Sequence, residues 1–443
     1  MFEFLGAWLL GFWAASEEVL TVQSSQLSPW FAQTSLPALI APTYRPDEKA
    51  IATLNQYLAS LERSGFELTE QGIWLQSGAN VWGEHQGNVA LPAASLTKLV
   101  TSLMALETWG TNHQFETMIS TTGPLQNGVL QGNLVIQGGG DPLYVWEEAI
   151  VLANVLQQEM GIQAIAGDLL IGNNFSMNYQ ESPLKSGILL RQAFDSALWP
   201  PEAEKQYLEM PAGTPKPRLS VQGQVQYSSK DALGQRSLTP IVRQQSLPLA
   251  QLLKLMNIYS NNVMSQALAD MIGGADEMSR KAAELVQVAP EEIQLINGSG
   301  LGTDNQLSPR AVSKILIALS QKVAGTSWSV ADLLPVSGRD IGTLKGRNVP
   351  RSAAVKTGSL WNVSSLAGGL PTEDYGVVWF TIINRGGDLD GLRRRQDIML
   401  NALLQDWGQP GALPADLQPG TESLKPENQL GARSRIQILN GQL

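Results

Sequence analysis

The sequence predicts a mixed α/β fold of the α+β kind, an antiparallel sheet flanked by helices with a smaller α+β region inserted into it. Three observations lead there. Helical and strand patterns with strong apolar periodicity occupy the chain up to about residue 112 and resume at about 245. Between them the texture changes to short strands and frequent turns. Finally, short polar motifs flank this middle region: Ser260 follows Ser95 by 165 residues, so one site would draw on distant segments. With 443 residues, 43% of them hydrophobic and 16% charged, the chain is ordinary globular material, long enough for more than one domain. The expected partition is a signal segment at 1–15, a principal domain formed by 16–112 and 245–408, an insertion at 113–244, and a loose tail at 409–443.

The elements follow in order. Phe4 to Ala15 form an apolar run closing on Trp13-Ala14-Ala15, too short to span a bilayer but matching the apolar core and small-residue exit of a secretory signal. Glu3 stands where such signals carry positive charge. Ile51, Leu54, Leu58 and Leu61 recur at three- and four-residue intervals and predict a helix over 46–66, ended by Gly65. Gly72-Ile73-Trp74-Leu75 and Val81-Trp82-Gly83 flank Ser77-Gly78-Ala79-Asn80, a hairpin pattern. Leu96, Leu99, Val100, Leu103 and Leu106 predict a helix over 95–109 that Gly110 stops.

In the middle region, 115–120, 132–137 and 165–171 read as strands and 146–159 as a helix, while 181–238 is polar, rich in proline and without a clear pattern. Leu249, Leu252, Leu253 and Met256 then line a helix reaching Ser260. Residues 353–355, 365–369 and 376–383 read as antiparallel strands, with a closing helix over 393–407. After Pro410 the chain is rich in Pro, Gly, Gln and Asn, which predicts a loose tail.

Composition excludes several functions. A formal charge of −10 with no basic stripe argues against nucleic acid as a partner. There is no cysteine for disulfides, thiol nucleophiles or zinc-thiolate sites. His85, expected on a hairpin strand, and His113, just after a helix, are the two histidines. They are too few for a histidine metal site, and no G-x-S-x-G elbow exists to use one in a Ser-His-Asp triad. Asn297-Gly298-Ser299-Gly300 imitates only the second half of that motif. No metal, cofactor or stable membrane span is expected.

The chemistry-bearing residues are Ser95 and Lys98, Ser260 and Asn262, and Lys356-Thr357-Gly358-Ser359. Ser95 and Lys98 lie three apart at a helix start and share one face. A serine hydroxyl needs a base, and a lysine serves only when burial or a neighbouring cation lowers its pKa; Leu96, Leu99 and Met104 offer the first and Lys356 the second. Read blandly, Ser95 is a helix cap and Lys98 is solvated. Ser260 and Asn262 stand where a buried helix must turn: a hydroxyl there can pass a proton and a carboxamide can grip a peptide, although Ser and Asn are also ordinary turn residues. Lys356-Thr357-Gly358 suits a strand edge on which Lys and Thr hold a carboxylate and Gly admits a ligand's backbone. The amides of Ser95 and Ser359 are candidates for an oxyanion hole. Ser182-Pro183-Leu184-Lys185 and Ser176-Met177-Asn178 repeat two of the motifs out of order, and neither is expected to open or end an amphipathic helix.

S-x-x-K, S-x-N and K-T-G in this order resemble the signatures of penicillin-recognising serine acyltransferases. Leu91-Pro92-Ala93-Ala94-Ser95, Gly128-Val129-Leu130-Gln131-Gly132-Asn133-Leu134, Gly139-Gly140-Asp141-Pro142, Asn297-Gly298-Ser299-Gly300-Leu301, Leu334-Pro335-Val336-Ser337-Gly338 and Lys356-Thr357-Gly358-Ser359-Leu360 extend the likeness from about Gly72 to Trp407. Together they resemble the D-Ala-D-Ala carboxypeptidase/endopeptidase family, the class C low-molecular-mass penicillin-binding proteins. The resemblance implies a β-lactamase-like transpeptidase fold, Ser95 as acylated nucleophile, Lys98 as base and Ser260 as proton relay. It further implies Asn262, Lys356, Thr357, Gly358 and Ser359 as substrate-binding residues. Peptidoglycan stem peptides would be the substrates, β-lactams covalent inhibitors, and the periplasm or another extracytoplasmic site the compartment. The segment between Ser95 and Ser260 is shorter than the family's usual pair of nested inserts, so one insert is expected to be lost or reduced. The family's Pro-x-Ala-Leu-type marker is absent from the region around Ala193 to Pro211. A serine β-lactamase and a non-catalytic wall-binding protein on the same fold are the alternatives.

Overall fold

The structure, a computed structural model, describes residues 42–439; the signal-like segment 1–15 lies outside them. Five antiparallel strands build the principal sheet. In spatial order they are Asn80–His85, Gln71–Ser77, Gly376–Arg385, Val363–Thr372 and Ala354–Leu360, and Thr43–Tyr44 adds in parallel beyond the first. The two inner C-terminal strands are buried almost throughout, because both of their faces are covered.

Alternation along Gly376–Arg385 shows how. Val378, Phe380 and Ile382 join a core with the helices Glu48–Glu62 and Leu389–Trp407. Val377, Trp379 and Ile383 join a second core made by the helices Thr97–Trp109, Leu249–Tyr259, Asn262–Ile272, Gly274–Val286 and Pro309–Val323. A period of two thus places successive side chains in different cores. The strand Ala354–Leu360 closes this sheet and keeps one edge free of a partner strand.

The middle of the chain forms its own hydrophobic core around the helices Trp146–Asn154 and Pro183–Phe194. A six-stranded sheet there runs Val225–Tyr227, Leu169–Ile171, Leu134–Gln137, Glu116–Thr121, Thr239–Gln245 and Ile436–Ile438. Beside it is a small four-stranded sheet of two-residue segments.

Three expectations need correction. The predicted strand over 165–171 is two strands, Ala164–Ile165 and Leu169–Ile171, in different sheets. They part at Gly167, where an added Cβ would lie 2.5 Å from the Gly132 carbonyl oxygen. Ser182 does open a helix: its hydroxyl accepts the Lys185 amide at 3.4 Å and caps Pro183–Phe194. The tail is not loose. Leu417 is buried in the second core, and Ile436–Ile438 pairs with Thr239–Gln245. Arg435 forms a buried ion pair with Glu148. A few anchors at long spacing suffice here, and composition averages them away. Among the described residues no helix is long and apolar enough to cross a membrane.

Candidate active site

The nucleophile segment is a tight turn running into a helix. Ala93-Ala94-Ser95 enters Thr97–Trp109 with Ala94 at φ 49°, a left-handed conformation that costs a non-glycine residue about 1–2 kcal/mol. The surroundings hold it there. Ser365 Oγ donates to the Ala93 carbonyl at 2.8 Å, and Gly300 packs so close that a Cβ would stand 1.9 Å from the Ala94 oxygen. Ser95 is thereby presented half-buried, while Lys98 one turn on is fully buried.

Lys98 Nζ is the hub. It donates to Ser95 Oγ at 3.0 Å, Asn262 Oδ1 at 2.7 Å and the Ser299 carbonyl at 2.6 Å. Burial lowers its pKa from 10.5 to about 7, with no charged neighbour among the causes. Of the two devices expected for this lysine, burial is the one in force. The amine is therefore available as a neutral base near neutrality.

The helix Leu249–Tyr259 ends at Ser260, again left-handed at φ 52°, and Asn261 caps the helix Asn262–Ile272. This break turns Ser260 toward the third motif: Lys356 Nζ donates to Ser260 Oγ at 3.0 Å and to the Thr357 carbonyl at 2.6 Å. Lys356 is fully buried, and burial together with the Lys98 charge drives its pKa well down. Two buried amines so close cannot both hold a proton cheaply.

Lys356-Thr357-Gly358 lies on the edge strand Ala354–Leu360, as expected. Thr357 Oγ1 bonds Thr343 Oγ1 at 2.8 Å. A Cβ on Gly358 would meet Ser365 Oγ at 2.2 Å and the Ser95 amide nitrogen at 3.0 Å, so this strand and the nucleophile turn touch only because residue 358 is glycine. Ser359 is exposed at the end of the strand. All three motifs thus converge: Ser95, Lys98 and Asn262 form one bonded group, Ser260, Lys356 and Thr357 another, and Gly358 packs beside Ser95.

Other groups escaped the sequence reading. The Ser299 carbonyl takes a lysine proton, and Asn297 Oδ1 shapes that turn by accepting the amides of Ser299 and Gly300 at 3.0 and 2.8 Å. The Asn-Gly-Ser-Gly run was visible, but its carbonyl carries no side-chain signature. Asn257 Nδ2 donates to Ser102 Oγ, which in turn donates to the Lys98 carbonyl at 2.7 Å. The imitative motifs stand apart: Lys185 is exposed, and Ser176 Oγ donates to the Gln180 carbonyl. His85 bonds the Leu68 carbonyl, and His113 stacks on Trp109.

A serine on a strained turn, a buried lysine beside it and a K-T-G edge strand form the arrangement that the sequence resemblance implies for a penicillin-recognising serine D,D-peptidase. Comparison with known proteins narrows the class. The chain belongs to the D-Ala-D-Ala carboxypeptidase 3 (S13) family, which matches residues 54–183 and 218–405. The D-alanyl-D-alanine carboxypeptidase DacB of Haemophilus influenzae is 23% identical over 418 residues, covering 71% of this chain and 85% of that protein. The carboxypeptidase DacB of Mycolicibacterium smegmatis is 30% identical over 178 residues, 36% of this chain and only 38% of that relative's length. Among solved structures, a predatory peptidoglycan endopeptidase from Bdellovibrio bacteriovorus superposes with a TM-score of 0.66 at 20% identity, covering 80% of this chain and 96% of the other. Penicillin-binding protein 4 of Haemophilus influenzae gives 0.56 at 18% identity, covering 78% and 99%. These two share the fold.

Proposed function

We propose that the protein hydrolyses D-Ala-D-Ala termini, or D-Ala–diamino-acid crosslinks, of peptidoglycan stem peptides through an acyl-enzyme on Ser95. The observation that carries this is the 3.0 Å bond between Lys98 Nζ and Ser95 Oγ inside a buried, uncharged setting. Neutral Lys98 takes the Ser95 proton as Oγ attacks the D-Ala carbonyl, and the amides of Ser95 and Ser359 receive the oxyanion. Ser260, bonded to Lys356, relays the proton that Lys98 has taken on to the leaving amine, which departs as free D-alanine or the crosslinking amine. Water then adds to the ester, and Ser95 regains its proton as the peptide acid leaves. Asn262 and Thr357 grip the substrate backbone and carboxylate.

Such substrates lie outside the cytoplasmic membrane, so the protein works in the periplasm or cell envelope. β-Lactams mimic the scissile bond and acylate the same serine; the Bdellovibrio endopeptidase has been captured acylated by penicillin G. Among the described residues, the groups bonded to Lys98 are a hydroxyl, a carboxamide and a carbonyl, none of them a carboxylate to activate a deacylating water. The penicilloyl-Ser95 ester should persist for minutes to hours, a barrier of roughly 20–23 kcal/mol. Labelling with a fluorescent penicillin followed by peptide mapping tests the assignment. The label should fall on Ser95 and the same preparation should release D-alanine or open a D-Ala crosslink. Rapid penicillin turnover without action on either peptide would make the protein a β-lactamase instead.

A further inference from the structure

The proposed substrates end in a carboxylate, and the charges at the site are badly placed to receive one. Lys98 Nζ is buried and already engaged by Ser95, Asn262 and the Ser299 carbonyl. Lys356 is buried, bonded to Ser260 and Thr357, and disfavoured as a cation by both burial and Lys98. A guanidinium is better suited, because it keeps its charge at any physiological pH and matches a carboxylate geometrically. One reaches the strand. Arg393, in the first turns of the helix Leu389–Trp407, donates from NH2 to Ser359 Oγ at 3.0 Å. Its side chain keeps 33% of its exposure, and its other contact is an ion pair from NH1 to Asp390, which is 77% exposed and so weakly held.

The hydrogen-bond direction matters. Ser359 Oγ accepts from Arg393, which leaves its own O–H free to donate elsewhere. Thr357 and Ser359 are two apart on a strand, so their side chains lie on the same face, beside the stretch of edge beyond the Val336–Ala354 bridge that no described strand pairs and where a peptide would lie. Thr357 gives its proton to Thr343 Oγ1, so a carboxylate there would meet the free O–H of Ser359 with a permanent positive charge immediately behind it.

Resting on the function proposed above, we infer that Arg393 is the carboxylate-recognising group of the site, acting on the terminal carboxylate of the peptide, or the ring carboxylate of a β-lactam, directly and through Ser359. The test compares acylation of Ser95 by benzylpenicillin and by its methyl ester, two β-lactams that differ in the carboxylate charge. The wild-type protein should prefer the acid. Arg393→Gln should shrink the acid-to-ester rate ratio by about 10- to 100-fold, the range for a charge-assisted hydrogen bond, and Arg393→Lys should restore part of it. The melting temperature of each variant is measured alongside. A ratio unchanged within about twofold, whether both rates fall together or neither falls, would overturn the inference by showing Arg393 to be structural or idle. Failure of the wild-type protein to acylate with either compound would instead defeat the underlying function, and the inference with it.

Discussion

Two buried charge clusters in this molecule handle ionisation in opposite ways. Around Ser95, two lysines sit fully buried without a carboxylate bonded to either, and the consequence is lowered pKa values. In the middle region, Asp141, Glu147 and Glu148 are buried together, and one guanidinium, Arg435 from the tail, answers them. Burial pushes the carboxyls of Asp141 and Glu147 up to about 7 in each case. Glu148 instead pairs with Arg435 and also accepts Gln244 Nε2 and the Gly431 amide at 3.1 and 3.0 Å. The first cluster sheds charge and so holds a movable proton. The second retains a full ion pair and so locks two distant segments together.

The largest effect that would break this contrast is at the nucleophile. Ser95→Ala should abolish penicillin labelling outright, and Lys98→Ala should slow acylation by about 10²- to 10⁴-fold without preventing folding, both read by gel fluorescence. Labelling that survives in Ser95→Ala would remove the proton-moving role from the first cluster. Next in size is the structural pair. Arg435→Ala strands a buried carboxylate and should cost about 3–5 kcal/mol in urea unfolding, whereas replacing both partners by apolar residues should cost far less. If the single and double replacements cost the same, the ion pair is not what fastens the tail.

The pH responses should have opposite signs. Lys98 titrates near 7 when folded and at 10.5 otherwise, so the unfolded chain holds a proton that the folded one lacks between those values, and stability gains from rising pH there. Asp141 and Glu147 titrate near 7 when folded, against 3.8 and 4.5, so the folded chain holds protons that the unfolded one has lost. Their contribution is whole at low pH and disappears as pH rises through about 7. Glu147→Gln should therefore flatten the fall in melting temperature between about pH 4.5 and 7 while leaving the acylation profile, which should climb through about 7 with Lys98, in place. An acylation midpoint that moves with Glu147 would mean that the two clusters are coupled. The smallest effect belongs to Ser182→Ala: labelling unchanged, stability down by about 0.5 kcal/mol for the lost helix cap.

The unequal legibility of these clusters follows from how each is built. Ser95, Lys98, Ser260, Asn262 and Lys356-Thr357-Gly358 stand at short spacings, and periodicity located two of their elements closely: the expected helix over 95–109 is Thr97–Trp109 after a single turn of 3₁₀ helix, and the helix reaching Ser260 is Leu249–Tyr259, whereas the helix Asn262–Ile272 was not expected and the strand expected over 353–355 runs on to Leu360. The Ser299 carbonyl and the left-handed Ala94 are backbone features that any residue type could supply. The Glu148–Arg435 pair joins residues 287 positions apart in segments with no periodic pattern to announce it. Ser182 shows the converse error. Its short motif was not expected to open a helix, yet Pro183 stands at the first helical position, where its fixed φ and missing N–H suit a helix start.

The strand Ile436–Ile438 also governs when the protein can finish folding. It hydrogen-bonds to Thr239–Gln245, with Val242 opposite Ile438, and Leu439 N donates to the Ile241 carbonyl. A chain emerging from its N-terminus presents Thr239–Gln245 as a bare sheet border long before residue 436 exists, and Glu148 waits equally long for its counter-ion. That border is an open invitation to a neighbouring chain until Ile436–Ile438 arrives. Arrival of Ile436–Ile438 is therefore the event that completes this sheet.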